Sequence, residues 1–600
     1  MRYPVIRIVC TSSLLVAAIH CDPETSPTNT PLPDAGMSLP DGGEQPAFDA
    51  GGGDGAAQDA GPVDTCGSLQ KFERSGGNVA ASETWPVGDY LVKGTLYLKG
   101  TLTVPACTVL RLAPGTSIVV DTGGALKLLG GETSKVRVTS SNTTPSAGDW
   151  GSIEFRAASS SADSEIHHAV LEYGGKGYGA IYVASGASVA VDHTKIESSE
   201  TYGVEVKSTG HLRGFTDNVV TKSGTAPVKI HVNSVGDLLG GTFTGNASDV
   251  ISVDGGNLDK TTVWKNLGVP YRADTFYVKG AATPQKLTLE AGVTLQMRPS
   301  QSISVDTAGG LHLAGTAAAP VKITSSETSP SAGDWDYLEF RNDSTAGDNV
   351  LEHAIIEYGG KNYGEVYVAS SASVKITDST VQHSEGVGLQ VVSDTSALRE
   401  FTGNTFTDNA LGHILTKANV VGQIGAGTYA SGGVNDVIRI DGGTVSKNAT
   451  WGAWGVPYRV DQSVYVQAPS GVATLTVAAG AKLAMGNGTT FISDTRGALV
   501  VAGTTASHVT ITSAAAAPSA GIWNYFEIRS PGNGFTYTDV SYGGGGGNSS
   551  GYGQLYVAAN SSVTLDHVTF ANGKLCDVDK ANTTTAVVTA TATTFTACPL

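Results

Sequence analysis

Apolar and polar residues alternate along this chain in short runs, such as Leu-Tyr-Leu-Lys-Gly-Thr-Leu-Thr-Val at 96–104 and Ser-Ile-Val-Val-Asp at 117–121. A period of two places alternate side chains on one face of an extended strand. The runs end at Gly, Asp and Asn, which suit the backbone conformations of turns. No stretch sustains an apolar period of 3.6. The pattern predicts an all-β chain of many short strands.

The runs recur on two scales. Pro-Ser-Ala-Gly-Asp-Trp at 145–150 returns at 330–335 and, as Pro-Ser-Ala-Gly-Ile-Trp, at 518–523, so Trp150, Trp335 and Trp523 are 185 and 188 residues apart. Gly-Val-Pro-Tyr-Arg at 268–272 returns at 455–459, with Trp-Pro-Val-Gly-Asp-Tyr at 85–90 as a looser counterpart. Glu-Tyr-Gly-Gly-Lys at 172–176 and 357–361 and Ser-Tyr-Gly-Gly-Gly at 541–545 keep the same register. Within each unit, Ile181 to Val204 and Val366 to Leu389 span 23 residues, one strand to its successor. A repeat that short buries its apolar face only by stacking on the next. The expected fold is therefore a right-handed parallel β-helix of about 22 rungs in three tandem copies, about eight rungs each at about 4.8 Å per rung. The six-residue aliphatic period of a left-handed helix is not sustained. The boundaries expected are an N-terminal cap at 66–87, copies at 88–267, 268–454 and 455–600, and a C-terminal cap within the third. Asp121-Thr122-Gly123, Asp306-Thr307-Ala308 and Asp494-Thr495-Arg496 fall at matching corners.

Composition changes the picture mainly before residue 66. Residues 1–20 have Arg2 and Arg7 ahead of an apolar run from Ile8 to Ile19, the layout of an export signal. That run is too short to span a bilayer, and no later one is long enough. Cys21 follows Leu-Leu-Val-Ala-Ala-Ile-His, which resembles the lipobox of bacterial lipoproteins; His20 departs from the small residue that pattern has. Cleavage after Ala18 is the competing reading. Residues 22–65 hold nine acids, seven Pro and eight Gly and no Lys or Arg, a composition that cannot bury a core and suits a tether from an acylated Cys21. The expected location is the cell envelope, anchored by lipid at the outer membrane or cell surface, with secretion as the alternative.

The formal net charge is −17, of which the tether supplies −9. No basic patch interrupts it, which excludes nucleic acid as a partner class. A monomer is expected. Beyond Cys10 and Cys21, the even set Cys66, Cys107, Cys576 and Cys598 suggests local disulfides 66–107 and 576–598, although four cysteines allow three connectivities. With no CxxC and no Cys/His cluster, no metal site is expected.

The succession Val-Pro-Tyr, Leu-Thr-Leu-Glu-Ala-Gly-Val-Thr-Leu, Gly-Asp-Trp and Glu-Tyr-Gly-Gly resembles the right-handed parallel β-helix repeat proteins of bacterial surfaces. The resemblance covers nearly all of 85–600 and implies a scaffold, with adhesins among its relatives. Pectate lyases and polygalacturonases have related folds, and fold alone does not choose among these functions. The hydrolase patterns Asn-Thr-Asp, Asp-Asp and Gly-His-Gly are absent; the nearest, Gly210-His211, lacks the second Gly.

Asp149, Glu154 and Glu172 are the candidate catalytic acids, matched by Asp334, Glu339 and Glu357; the third copy keeps only Glu527. In Ile-Glu-Phe-Arg at 153–156 the alternation turns Glu154 and Arg156 outward as a surface ion pair, which favours a structural role. Tyr173, Tyr178 and Tyr182, then Tyr358, Tyr363 and Tyr367, then Tyr542, Tyr552 and Tyr556 form a recurring constellation, of which Tyr173, Tyr178, Tyr358 and Tyr363 are the candidate ligand-binding residues. Aromatic rings beside Gly can stack on sugars, and three copies would add avidity along one long glycan. Against this, the tyrosines and Trp150, Trp335 and Trp523 can simply cover apolar seams. Asp192-His193 and Asp566-His567 look like dyads, but Thr377-Asp378 stands in the second copy and neighbours on a strand face opposite ways, so corner residues are the better reading. Asp254-Gly255-Gly256 and Asp441-Gly442-Gly443 lack the spacing of a calcium loop. No cofactor is expected, and calcium has no support. The leading expectation is a lipid-anchored, non-catalytic, glycan-facing module; the alternative is a polysaccharide lyase or hydrolase. Cys21→Ser should move the protein from the membrane to the soluble fraction, and unchanged membrane retention on fractionation would refute acylation there.

Overall fold

The structure, a computed structural model, describes residues 66–598 apart from 122, 157–162, 282 and 547–551. The export signal, Cys21, the tether and Thr122 thus lie outside the described residues. Strands make up 48% of the described residues and helix 3%, so the class is all-β.

Strand order explains how short alternating runs build one core. Each strand pairs in parallel with one a coil later in the chain, usually the third strand on, so consecutive strands lie on three different sheets. Phe72 lies beside Tyr90, and Tyr90 beside Leu110, on the first face. Leu96 lies beside Ile118 on the second and Leu102 beside Leu126 on the third. Ile181 pairs with Val204, and Val366 with Leu389, the 23-residue steps read from the pattern. Other coils are longer. Ile118 pairs with Ile153 and Ile303 with Leu338, each 35 residues on, because the loop ending in Gly-Asp-Trp is inserted there. A uniform rung of 23 residues is therefore corrected.

The inward column on the first face is continuous: Tyr90, Leu110, Val138, Leu171, Ile196 and Val220 lie over one another and are all fully buried. Trp85, Trp264 and Trp451 lie 4.5, 5.1 and 5.6 Å from the rings of Tyr90, Tyr271 and Tyr458. Each of these tyrosines keeps its hydroxyl satisfied by donating to a backbone carbonyl, of Pro86, Lys265 and Gly452. Disulfides join Cys66 to Cys107 and Cys576 to Cys598, toward the two ends of the described chain.

Gly-Asp-Trp and Tyr-Gly-Gly turn out to be two halves of one device. Trp150, Trp335 and Trp523 are fully buried, and their indole nitrogens donate to the carbonyls of Glu172, Glu357 and Ser541 at 2.8, 2.9 and 2.8 Å. The indole rings rest against Gly174, Gly359 and Gly543, where an added Cβ would come within 2.4, 2.7 and 2.5 Å of a ring atom. The preceding tyrosines, Tyr173, Tyr358 and Tyr542, take left-handed backbone angles of 66°, 68° and 69° to turn the corner. Buried indoles cannot stack on a sugar, so a binding role for these tryptophans is withdrawn.

Motif spacing is not a whole number of coils. Ile181, Val204, Val228, Ile251 and Tyr271 lie directly over one another. The column starts on Ile181 yet ends on Tyr271, whose counterpart Tyr90 sits on the neighbouring sheet. Val366, Leu389, Ile414, Ile438 and Tyr458 repeat the displacement. A turn of 3-10 helix, Val232–Asp237, and a short α-helix, Ala418–Val421, replace a strand just before each shift. Equivalent strands are consequently seven coils plus one face apart, not eight coils. Gly174→Ala should destabilise the protein by about 1–3 kcal/mol by driving a methyl into Trp150, read as a lower denaturant midpoint; an unchanged midpoint would show that the Trp–Gly contact is not tight.

Candidate functional site

Strands turned outward by alternation carry the same ladder three times. Tyr97, Val119, Glu154, Tyr182 and Glu205 are successive outward neighbours on one sheet. Tyr277, Ser304, Glu339, Tyr367 and Gln390 form the second ladder. Tyr465, Ile492, Glu527, Tyr556 and Asp579 form the third.

A carboxylate–guanidinium pair sits at the centre of each. Arg156, Arg341 and Arg529 donate through Nε to Glu154, Glu339 and Glu527 at 3.1, 2.9 and 2.7 Å. The same arginines reach the corner residues Asp121, Asp306 and Asp494 of the preceding coil at 3.9, 2.9 and 3.7 Å. Gly123, Ala308 and Arg496 turn those corners with left-handed angles of 76°, 51° and 66°. The ion pair inferred from Ile-Glu-Phe-Arg is present, extended by an aspartate that the pattern placed only at a corner.

Tyrosines surround this charge cluster. Tyr178 packs on Tyr182 with ring centres 5.1 Å apart, and Tyr363 on Tyr367 at 4.9 Å. Tyr552 packs on Tyr556 at 4.0 Å. Tyr178 and Tyr363 are 55% and 47% exposed, which leaves ring faces open to a ligand. Glu205 accepts from the Gly179 amide at 3.1 Å and Gln390 from Gly364 at 2.8 Å, pinning the loops that carry Tyr178 and Tyr363. Burial, helped by neighbouring carboxylates and phenols, raises the pKa of Tyr182, Tyr367 and Tyr556, so their hydroxyls stay protonated donors at neutral pH. Beside the second ladder runs a groove of about 400 Å³ lined by Tyr363, Glu385, Gln390, Leu415 and Arg439.

The four candidate tyrosines separate into two groups. Tyr178 and Tyr363 belong to the ladders, whereas Tyr173 and Tyr358 are corner residues, Tyr358 stacked on His383 at 5.0 Å. Pattern reasoning missed Tyr337, 5.3 Å from Tyr363, and Tyr525, 4.9 Å from Tyr552. Their position two residues after each repeated Trp was the available signal, hidden because the first copy has Ser152 there.

Asp149, Glu154 and Glu172 do not share a face. Asp149 accepts from Ser140 Oγ at 2.6 Å and the Ser146 amide at 3.0 Å, closing the loop before Trp150; Asp334 does the same with Ser325 and Ser331. Partial burial pushes the Asp149 pKa up, but these hydrogen bonds outweigh it and hold the carboxyl below its ordinary value. Glu154 is on the second sheet and Glu172 on the first. Glu172 pairs with Arg137 at 2.7 Å and lies in register with Glu197, in a groove of about 470 Å³ rimmed by Cys66–Cys107. Burial raises the Glu197 pKa, yet Lys195 and Lys222 overcome it and lower the value. A carboxyl so held is a poor general acid, which a hydrolytic pair needs.

Other expectations also change. Asp192 and His193 are 3.3 Å apart and Asp566 and His567 2.9 Å apart, contacts that opposite-facing strand neighbours could not make. His193 and His567 have left-handed angles of 46° and 53°, which swing their rings back toward the aspartates. Asp254 faces Lys229 at 3.6 Å and Asp441 faces Lys417 at 2.7 Å. Among the described residues no three His, Cys, Asp or Glu side chains converge to hold a metal ion. Compared with known proteins, the chain matches no family model and no curated protein sequence.

Glu365, just before the strand Val366–Val368, is a fully buried carboxyl. One oxygen accepts from the Gly359 amide at 2.7 Å and the other has no partner. Burial raises its pKa well above the ordinary value. Gln554 occupies the equivalent position and accepts from Gly543 at 3.1 Å, the neutral version of the same bond. Because the folded pKa is raised, Glu365 costs nothing below the unfolded value of about 4.3, and stability then falls with rising pH until the folded pKa is passed. Glu365→Gln should remove that slope in urea unfolding from pH 4 to 9; parallel pH profiles for the two proteins would refute it.

Proposed function

We propose that this protein is a non-catalytic, glycan-binding surface module built on a right-handed parallel β-helix of about 22 coils in three tandem copies. The observation that carries the reading is the tyrosine–carboxylate–guanidinium ladder, presented outward three times in matching register. Half-exposed phenol rings offer apolar faces for the C–H surfaces of sugars, and the adjoining Glu, Asp and Arg offer acceptors and donors for hydroxyls. The ladder carboxylates Glu154, Glu339 and Glu527 are already paired with arginine, and the chain as a whole is acidic with a pI near 5.1. That balance favours neutral glycans over polyanionic ones. Attachment to the cell envelope through an acylated Cys21, and a monomeric state, complete the proposal.

A lyase or hydrolase using the Glu172–Glu197 groove is the second reading, favoured only by the two carboxylates in register. Binding to an array of neutral and acidic glycans, with turnover assayed on the matching polysaccharides, separates the two. The expected result is binding to neutral glycans without product release, weakened roughly 2- to 10-fold for each ring lost in Tyr363→Ala and Tyr367→Ala, the worth of about 0.5–1.5 kcal/mol per aromatic contact. Turnover that disappears on Glu172→Gln would overturn the non-catalytic reading.

A further inference from the structure

The three ladders do not lie on one line. The column above the first ladder passes from Ile251 directly to Tyr271, and the outward residue beside it is Arg272, not a ladder tyrosine. Tyr277 stands one strand further along, on a different sheet. At the second junction the column above Val366 passes from Ile438 to Tyr458, and Tyr465 again lies past the next corner, beside Ile492. With three faces per coil and a displacement of one face at each junction, the ladders of Tyr182, Tyr367 and Tyr556 leave the protein through three different faces. Successive ladders are also about seven coils apart along the stack, roughly 35 Å.

A glycan lying along one ladder therefore meets no continuation of its site on the same face, which withdraws the expectation of avidity along a single straight chain. Resting on the glycan-binding reading above, we propose that the protein is a trivalent cross-linker, engaging three separate neutral glycan chains, one through each face. Sites that cannot be filled by one ligand strand gain nothing from each other in affinity. Their use is to hold different strands together. The displacement is built in by the two junctions, where the turn at Val232–Asp237 and the helix at Ala418–Val421 are each followed by a short 20-residue coil, Ile251 to Tyr271 and Ile438 to Tyr458.

The test uses cellohexaose, xylohexaose and mannohexaose in titration calorimetry, then agarose beads carrying whichever hexasaccharide binds. The chain should take up three hexasaccharides and aggregate the beads. Stripping both stacked rings from one ladder, by Tyr178→Ala with Tyr182→Ala, Tyr363→Ala with Tyr367→Ala or Tyr552→Ala with Tyr556→Ala, should remove one binding equivalent, with melting temperature checked to show that each variant is folded. Stripping any one ladder should leave bead aggregation, and stripping any two should abolish it. Three equivalents without aggregation would overturn the cross-linking proposal alone, as would one soluble xylan or mannan chain saturating all three ladders of one protein molecule. A stoichiometry of one or two would overturn it as well. Absence of binding to all three hexasaccharides would instead sink the glycan reading on which the proposal rests.

Discussion

Parallel pairing of each coil with the next is the constraint on which everything else depends. A single coil has a triangle of short strands and a few inward apolar residues, too little to pay for its own conformational entropy. Stacked, the inward residues bury one another and the backbone groups find partners above and below. Ile166, Ile196 and Val220 are fully buried only because coils lie on both sides of them. Register is equally demanding, since a slip of one residue along any strand would turn its core outward. That requirement also lines up the outward residues, so the proposed binding surface is assembled from positions a coil apart in the chain, such as Glu154 and Tyr182.

Corners are the second requirement, and left-handed residues make them. His168 and Tyr173 bracket the strand Ala169–Glu172, and His193 and Ser198 bracket Lys195–Glu197. Non-glycine residues reach such angles at a cost, recovered here because each corner sets both neighbouring strands. Polar groups turned inward near them are satisfied locally: Asn218 accepts from the Thr194 amide at 3.0 Å and donates to Val191 at 3.0 Å, and Asn404 repeats this with Ser379 and Ile376. The long loops fold back onto the coil through buried indoles, so a tryptophan that looks like a sugar platform in the linear motif serves as an internal clasp.

These demands bear on function. The carboxylates in register on neighbouring strands, Glu172 and Glu197, are each held by cations. The ladder glutamates are tied to arginines that also bind the preceding corner. Beside them Tyr178 and Tyr363 keep their rings about half exposed, the feature on which the proposed sugar binding rests. The displacement of equivalent ladders from face to face follows from coil lengths, not from any one side chain, and it converts a repeated site into a site presented in several directions.

Much of this was legible in the chain. Period-two alternation gave the strands, because facing inward or outward is a local property of each residue. Recurrence of Gly-Asp-Trp and Tyr-Gly-Gly gave the repeat, and the 23-residue steps gave two true pairings, Ile181 with Val204 and Val366 with Leu389. The candidate site was partly legible: Tyr178 and Tyr182, Tyr363 and Tyr367, and Tyr552 and Tyr556 were found, while Tyr97, Tyr277 and Tyr465 were not, since nothing local tells a residue which strand will lie beside its own. The linear order also grouped Asp149, Glu154 and Glu172, which the coil then separated. The sequence by itself determined which side chains face in and where the chain turns, because those depend on neighbours along the backbone. Only the tertiary structure decided which side chains meet and which face they share, because a parallel coil brings together residues 18 to 38 positions apart and each inserted loop or shortened coil changes that distance.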